Sequence, residues 1–115
     1  MRTPDAERGR VVLGPVGELD MSSADELESA LDDVLDRPGL IEIVVDLAGV
    51  TFIDSTGVAT LLSGAAEAVG RGATLRIVDP QPVVARVLRI TAVGPLLGLP
   101  DGGVDGTAGG PGPVR

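Results

Sequence analysis

The chain has 115 residues, with 17 acidic residues against 9 basic ones (all Arg), a formal net charge of -8, no His or Cys, and one aromatic, Phe52. That length suits a single domain, and the missing side chains exclude thiol or imidazole catalysis, a disulfide framework and ordinary zinc or iron–sulfur sites. The acidic balance and the lack of stacking aromatics exclude a nucleic-acid partner.

Residues 1–9 are charged and polar, and read as a flexible N-terminal arm or a truncated first strand. No signal-like apolar stretch follows them, and no apolar run approaches the roughly 18 residues that a membrane span needs. The expectation is a cytoplasmic protein without direct membrane insertion. Val11, Val12, Leu13 and Val16 predict a strand interrupted at Gly14-Pro15. Proline brings no ladder donor, so an edge strand or a bulge is expected there. Gly17-Glu18-Leu19-Asp20 reads as a turn leaving that strand. Ser22 or Ser23 is expected to cap the first helix, with Asp25 and Glu26 at capping-box spacing. Ala24, Leu27, Leu31 and Val34 form its apolar stripe, Glu28, Asp32, Asp33 and Asp36 its wet side, and Pro38-Gly39 ends it.

Residues 40–47, apolar and β-branched, carry the strongest strand signal and suit the centre of a parallel or mixed sheet covered on both faces. Residues 48–53 are expected to be a connection. Asp54-Ser55 opens a second helix, with Val58, Leu62, Ala65 and Val69 at helical spacing, Leu61 and Ala68 beside them, and Gly70-Arg71-Gly72 at its close. A strand over 73–78 follows, then a third helix starting near Pro80-Gln81-Pro82 and carrying Val83, Val84, Val87, Leu88 and Ile90. Gly94-Pro95 breaks it, and Leu96, Leu97 and Leu99 are expected in a short final strand or turn. Residues 100–115 are rich in Gly and Pro and are expected to be a disordered tail. The domain proper is therefore 10–99, an α/β layer whose crossovers are long enough to return the chain parallel.

The stretch with chemical content is Asp54-Ser55-Thr56-Gly57. Asp54 or Ser55 can simply be an N-cap, Thr56 a first-turn residue and Gly57 a close-approach glycine. Alternatively, Ser55 is a regulated hydroxyl at the positive end of a helix, where free N–H groups and the dipole favour a phosphate. Glu18 and Asp20 read as solvated turn carboxylates; alternatively, if the first and central strands are neighbours, Asp20 lies near Ser55 at the edge where open α/β sheets place binding sites. A carboxylate metal, nucleotide or acid/base site built from Glu18, Asp20 and Asp54 is a further alternative. Ser55 has no His or Lys to activate it as a nucleophile.

Gly17-Glu18-Leu19-Asp20, the strand Val44-Val45-Asp46-Leu47 and the run Phe52-Ile53-Asp54-Ser55-Thr56-Gly57 resemble the STAS domain of bacterial anti-sigma factor antagonists. Leu75-Arg76-Ile77-Val78 and Val83-Val84-Ala85-Arg86-Val87-Leu88 continue the likeness, which covers about residues 10–99. The resemblance implies a small α/β domain with a mixed four- or five-stranded sheet flanked by helices. It implies a non-enzymatic regulator, needing no cofactor or metal, that binds an anti-sigma factor serine/threonine kinase and frees sigma factor. The kinase would then phosphorylate Ser55, and a serine phosphatase would reverse this. Glu18, Asp20, Asp54, Ser55, Thr56 and Gly57 would line the partner-binding surface. Other standalone STAS domains imply an alternative, an accessory subunit of a lipid-transport ATPase or a scaffold in a stress-signalling complex.

Overall fold

The computed structural model describes residues 5–7 and 9–99, so the expectations for residues 1–4 and for the tail from residue 100 onward lie outside the described residues. In chain order the elements are β1 (Asp5–Glu7), β2 (Arg10–Leu13), β3 (Gly17–Leu19), α1 (Ala24–Leu35), β4 (Glu42–Asp46), β5 (Val50–Ile53), α2 (Ser55–Gly70), β6 (Thr74–Val78) and α3 (Pro82–Ile90). A 3-10 turn at Pro95–Leu97 stands where a short strand or turn was expected.

Four strands form a mixed sheet in the order β1-β2-β4-β6. β4 lies between β2 and β6 and is parallel to both, with Val11 opposite Ile43 and Ile43 opposite Leu75. β1 pairs antiparallel with β2, so β2 is an interior strand, which overturns the edge placement, one of the two alternatives expected for it. The proline constraint is met differently: β2 stops at Leu13, before Pro15, and the missing donor never falls within the ladder.

Two further strands depart from the sequence reading. Gly17–Leu19, expected as a turn, and Val50–Ile53, expected within a connection, pair in parallel as a separate two-stranded ribbon. Its register shifts between Gly17 and Glu18: Gly17 faces Val50, but Glu18 faces Phe52, leaving Thr51 as the extra residue of a β-bulge. The bulge reverses the alternation of β5, so Val50 and Ile53 are buried while Thr51 and Phe52 face outward.

One face of the main sheet is fully packed. Val11, Leu13, Ile43, Val45, Leu75 and Ile77 all point to it, and they join Leu27, Leu31 and Val34 of α1, Leu61 of α2 and Val84 and Leu88 of α3 in one core. Each such side chain contributes about 1.5–3 kcal/mol by leaving water. The opposite face corrects the expectation of cover on both sides. Among the described residues there, Val12, Glu42, Asp46, Arg76 and Val78 are only partly buried, and Val44 alone is enclosed. Glu42 bridges the neighbouring strands on that face, its two carboxylate oxygens meeting Arg10 Nε at 3.3 Å and Arg76 Nε at 2.8 Å.

α1 packs on α2, which also rests against β6 and the 3-10 turn, while α3 packs on β5. The inward face of α2 is Gly57, Val58, Leu61, Gly64 and Ala68, rotated from the expected stripe so that Val69 is exposed. α2 is apolar nearly all round, so periodicity alone does not choose its face. Small residues choose it: a Cβ on Gly64 would stand 3.0 Å from Leu31 Cδ1, so the glycine lets α1 approach closely. Among the described residues, no helix is long and apolar enough to cross a membrane.

Candidate functional site

The site forms where the ends of β3 and β5 meet the start of α2. Leu19 closes β3, and its carbonyl accepts a hydrogen bond from Asp54 N–H at 3.1 Å. Asp54 is the N-cap of α2: its Oδ1 accepts from Thr56 N–H at 2.9 Å and Gly57 N–H at 3.1 Å. Two of the donors that a helix start leaves unpaired are therefore engaged by the chain itself. Gly57 is buried against β3, where an added Cβ would lie 2.4 Å from the Leu19 carbonyl oxygen and 2.8 Å from Ile53 Cγ1. The close-approach reading of this glycine describes its packing, and it presents no side chain to solvent.

Ser55 follows as the first residue of α2 and is exposed. No hydrogen bond among the described residues engages its hydroxyl. Thr56 is partly buried, and its carbonyl accepts from Thr60 Oγ1 at 2.9 Å. Of the first-turn N–H groups expected to be free for a phosphate at Ser55, those of Thr56 and Gly57 are held by Asp54.

Asp20 builds the facing turn. Its Oδ1 accepts from Ser22 Oγ at 2.7 Å, Ser22 N–H at 3.0 Å and Ser23 N–H at 3.2 Å. The Ser22 hydroxyl, helped by these amides and by Ser23, holds the Asp20 carboxyl below the usual carboxylate range; partial desolvation works against it. The expected capping box is not made. Ser23 is the N-cap residue of α1, yet its hydroxyl turns away from the helix, accepting from Asp20 N–H at 3.0 Å and donating to the Glu18 carbonyl. Sequence spacing could not reveal this, because Ser23 uses its hydrogen bonds to brace the end of β3 and Asp20.

The structure thus brings Asp20 and Asp54 together, and with Met21 and Ser22 they line an open depression of about 400 Å³. Glu18 stands apart from the depression, exposed on the ribbon opposite Phe52. None of the three carboxylates has an ion-pair partner among the described residues. Among the described residues, no three acidic side chains are grouped so as to hold a metal ion. The sequence reading missed two residues beside this site: Met21, 79 % exposed, and Phe52, 43 % exposed. Their signal was the presence of large apolar residues next to the acidic motif, but their direction depends on the turn and on the bulge.

Known proteins share this fold. A family model described as "Mlab, STAS domain" matches residues 3–98. An anti-sigma F factor antagonist of Paenibacillus polymyxa is 26% identical over 98 residues, spanning 85% of this chain and 84% of that protein. The crystal structure of an anti-sigma factor antagonist from Mycobacterium paratuberculosis superposes with a TM-score of 0.74 and 26% identity, covering 87% of this chain and 84% of that one. The Bacillus cell fate determinant SpoIIAA in its phosphorylated form shares the fold, with a TM-score of 0.64, 21% identity and coverage of 81% and 85%.

Proposed function

The chain belongs to the STAS domain family, and from that premise we propose that it is an anti-sigma factor antagonist that binds an anti-sigma serine kinase and is switched off by phosphorylation of Ser55. The observation that carries this reading is the state of Ser55: exposed, with its hydroxyl unengaged among the described residues, on a helix start that Asp54 has already capped. A kinase would transfer the γ-phosphoryl group of ATP to Ser55 Oγ, with the serine proton leaving to a base on the kinase. A serine phosphatase would return the hydroxyl by hydrolysis. The relatives named antagonists of anti-sigma factors, and the phosphorylated SpoIIAA with the same fold, support this reading.

The physical effect of the switch follows from the surroundings. A phosphate adds roughly -1.5 to -2 charges beside Asp54 and Asp20. With the amides of Thr56 and Gly57 engaged by Asp54, those groups are not available to draw the phosphate inward. The new charge stays on the surface and repels, or leaves unsatisfied, whatever docks there, at a cost of about 2–5 kcal/mol in a desolvated interface. Glu18, Asp20, Thr56 and the backbone at Gly57 would shape the rest of that contact.

The test is calorimetric titration of the anti-sigma serine kinase from the same organism into Ser55→Ala and Ser55→Asp proteins. The alanine variant should bind at least tens of times more tightly than the aspartate variant. Equal affinities would sink the proposal.

A further inference from the structure

Resting on the reading of Ser55 as the centre of a kinase-binding surface, we propose that Phe52 and Met21 are the apolar anchors of that surface, inserting into an apolar recess of the kinase rimmed by basic side chains. Phe52 is the sole aromatic of the chain, and the ribbon turns it outward. Strict alternation from the buried Val50 would bury Phe52 and expose Ile53. The bulge at Thr51 inverts this, placing Ile53 in the core and Phe52 in water opposite Glu18. Bulges re-aim side chains next to functional sites, and this one lies three residues before Asp54.

Met21 stands two residues beyond Leu19, which pairs with Ile53 at the end of the same ribbon. It lines the depression with Asp20, Ser22 and Asp54, and its side chain is almost wholly exposed. An aromatic and a flexible thioether beside a modifiable serine have the character of interface hot spots, which are large, few and central. Charge sets the chemistry of the occupant. Glu18 faces Phe52 across the ribbon, Asp20 and Asp54 line the depression with Met21, and none of the three has a basic partner among the described residues. A partner that buries Phe52 and Met21 must therefore supply cations at the rim, and an acidic or purely apolar surface would not match.

The proposal is tested by titrating the same anti-sigma serine kinase into the wild-type chain, Phe52→Ala, Met21→Ser, and a control, Val69→Ser, at the exposed far end of α2. Phe52→Ala and Met21→Ser should each weaken binding by roughly 10- to 100-fold, while Val69→Ser should match wild type. Circular dichroism checks folding; should Phe52→Ala misfold, Met21→Ser carries the test, because so exposed a side chain contributes little to the fold. If both variants bind within threefold of wild type while Ser55→Asp still disrupts the complex, the anchors are refuted and the proposed function survives. If the wild-type chain does not bind the kinase at all, both are overturned.

Discussion

Replacing Gly57 by alanine tests how the site is held in place. The new Cβ would stand 2.4 Å from the Leu19 carbonyl oxygen, 2.8 Å from Ile53 Cγ1 and 3.0 Å from Leu19 Cβ. Two of the three obstacles belong to β3, and one is backbone that no rotamer change can move. Restoring ordinary contact requires the start of α2 to retreat from the ribbon by about 1 Å. That retreat stretches the Asp54 N–H bond to the Leu19 carbonyl, a bond worth about 1 kcal/mol. Overpacking of this kind costs about 1–3 kcal/mol, and alanine's better helix propensity offsets at most about 1 kcal/mol. The expected net loss is about 2 kcal/mol, which for a domain of this size lowers the thermal midpoint by roughly 8–16 °C. Urea and thermal unfolding followed by circular dichroism measure it. Gly70→Ala, in the same helix with nothing within 4 Å of its added Cβ, is the control and should be neutral or slightly stabilising. A Gly57→Ala protein as stable as wild type would refute the reasoning.

Asp54→Ala removes both Oδ1 hydrogen bonds at the start of α2 and should lower unfolding free energy by about 1 kcal/mol, with Asp54→Asn retaining most of it; urea midpoints at unchanged slope decide. Asp20 predicts a pH dependence. Its folded-state pKa lies below the ordinary carboxylate value, chiefly through the Ser22 hydroxyl, so its stabilising contribution is complete above the ordinary value and is lost as the pH falls through the folded one. Ser22→Ala should move that titration upward, as followed by carbon-13 NMR of the Asp20 carboxyl group, and an unchanged titration would contradict the assignment.

What sequence conveyed and what it concealed divide by the range of the interactions involved. β4, β6 and α3 were legible because each announces itself locally: a β-branched run, a second such run, a proline in the first helical turn. The capping of α2 by Asp54 was legible for the same reason, since cap and amides lie within three residues. β3 and β5 were not, because strands of three and four residues carry little pattern and Gly17-Glu18 looks like a turn. They exist through pairing with each other, more than thirty residues apart in the chain. The orientation of Phe52 follows from that pairing and its bulge, so no local reading could supply it. Ser23 shows the converse, a local signal overridden: the spacing to Glu26 suits a capping box, but the hydroxyl braces the end of β3 and Asp20 instead. Gly57 carried both readings at once, and its burial explains why the chain needs a glycine there.

The carboxylate of Glu42, shared between Arg10 and Arg76 on the half-exposed face of the sheet, also guards against misassembly. β2, β4 and β6 are short, β-branched and parallel, so a slip of one residue would keep most backbone hydrogen bonds available while turning each side chain to the other face. Ile43 and Val45 would tolerate such a slip poorly; Glu42 would tolerate it worse, because it would lose both arginines and face the packed interior as an uncompensated ion. One glutamate thereby penalises alternative alignments of three strands together, even though its two ion pairs, half in water, add little to the stability of the correct one. Its contribution is to discrimination between folds.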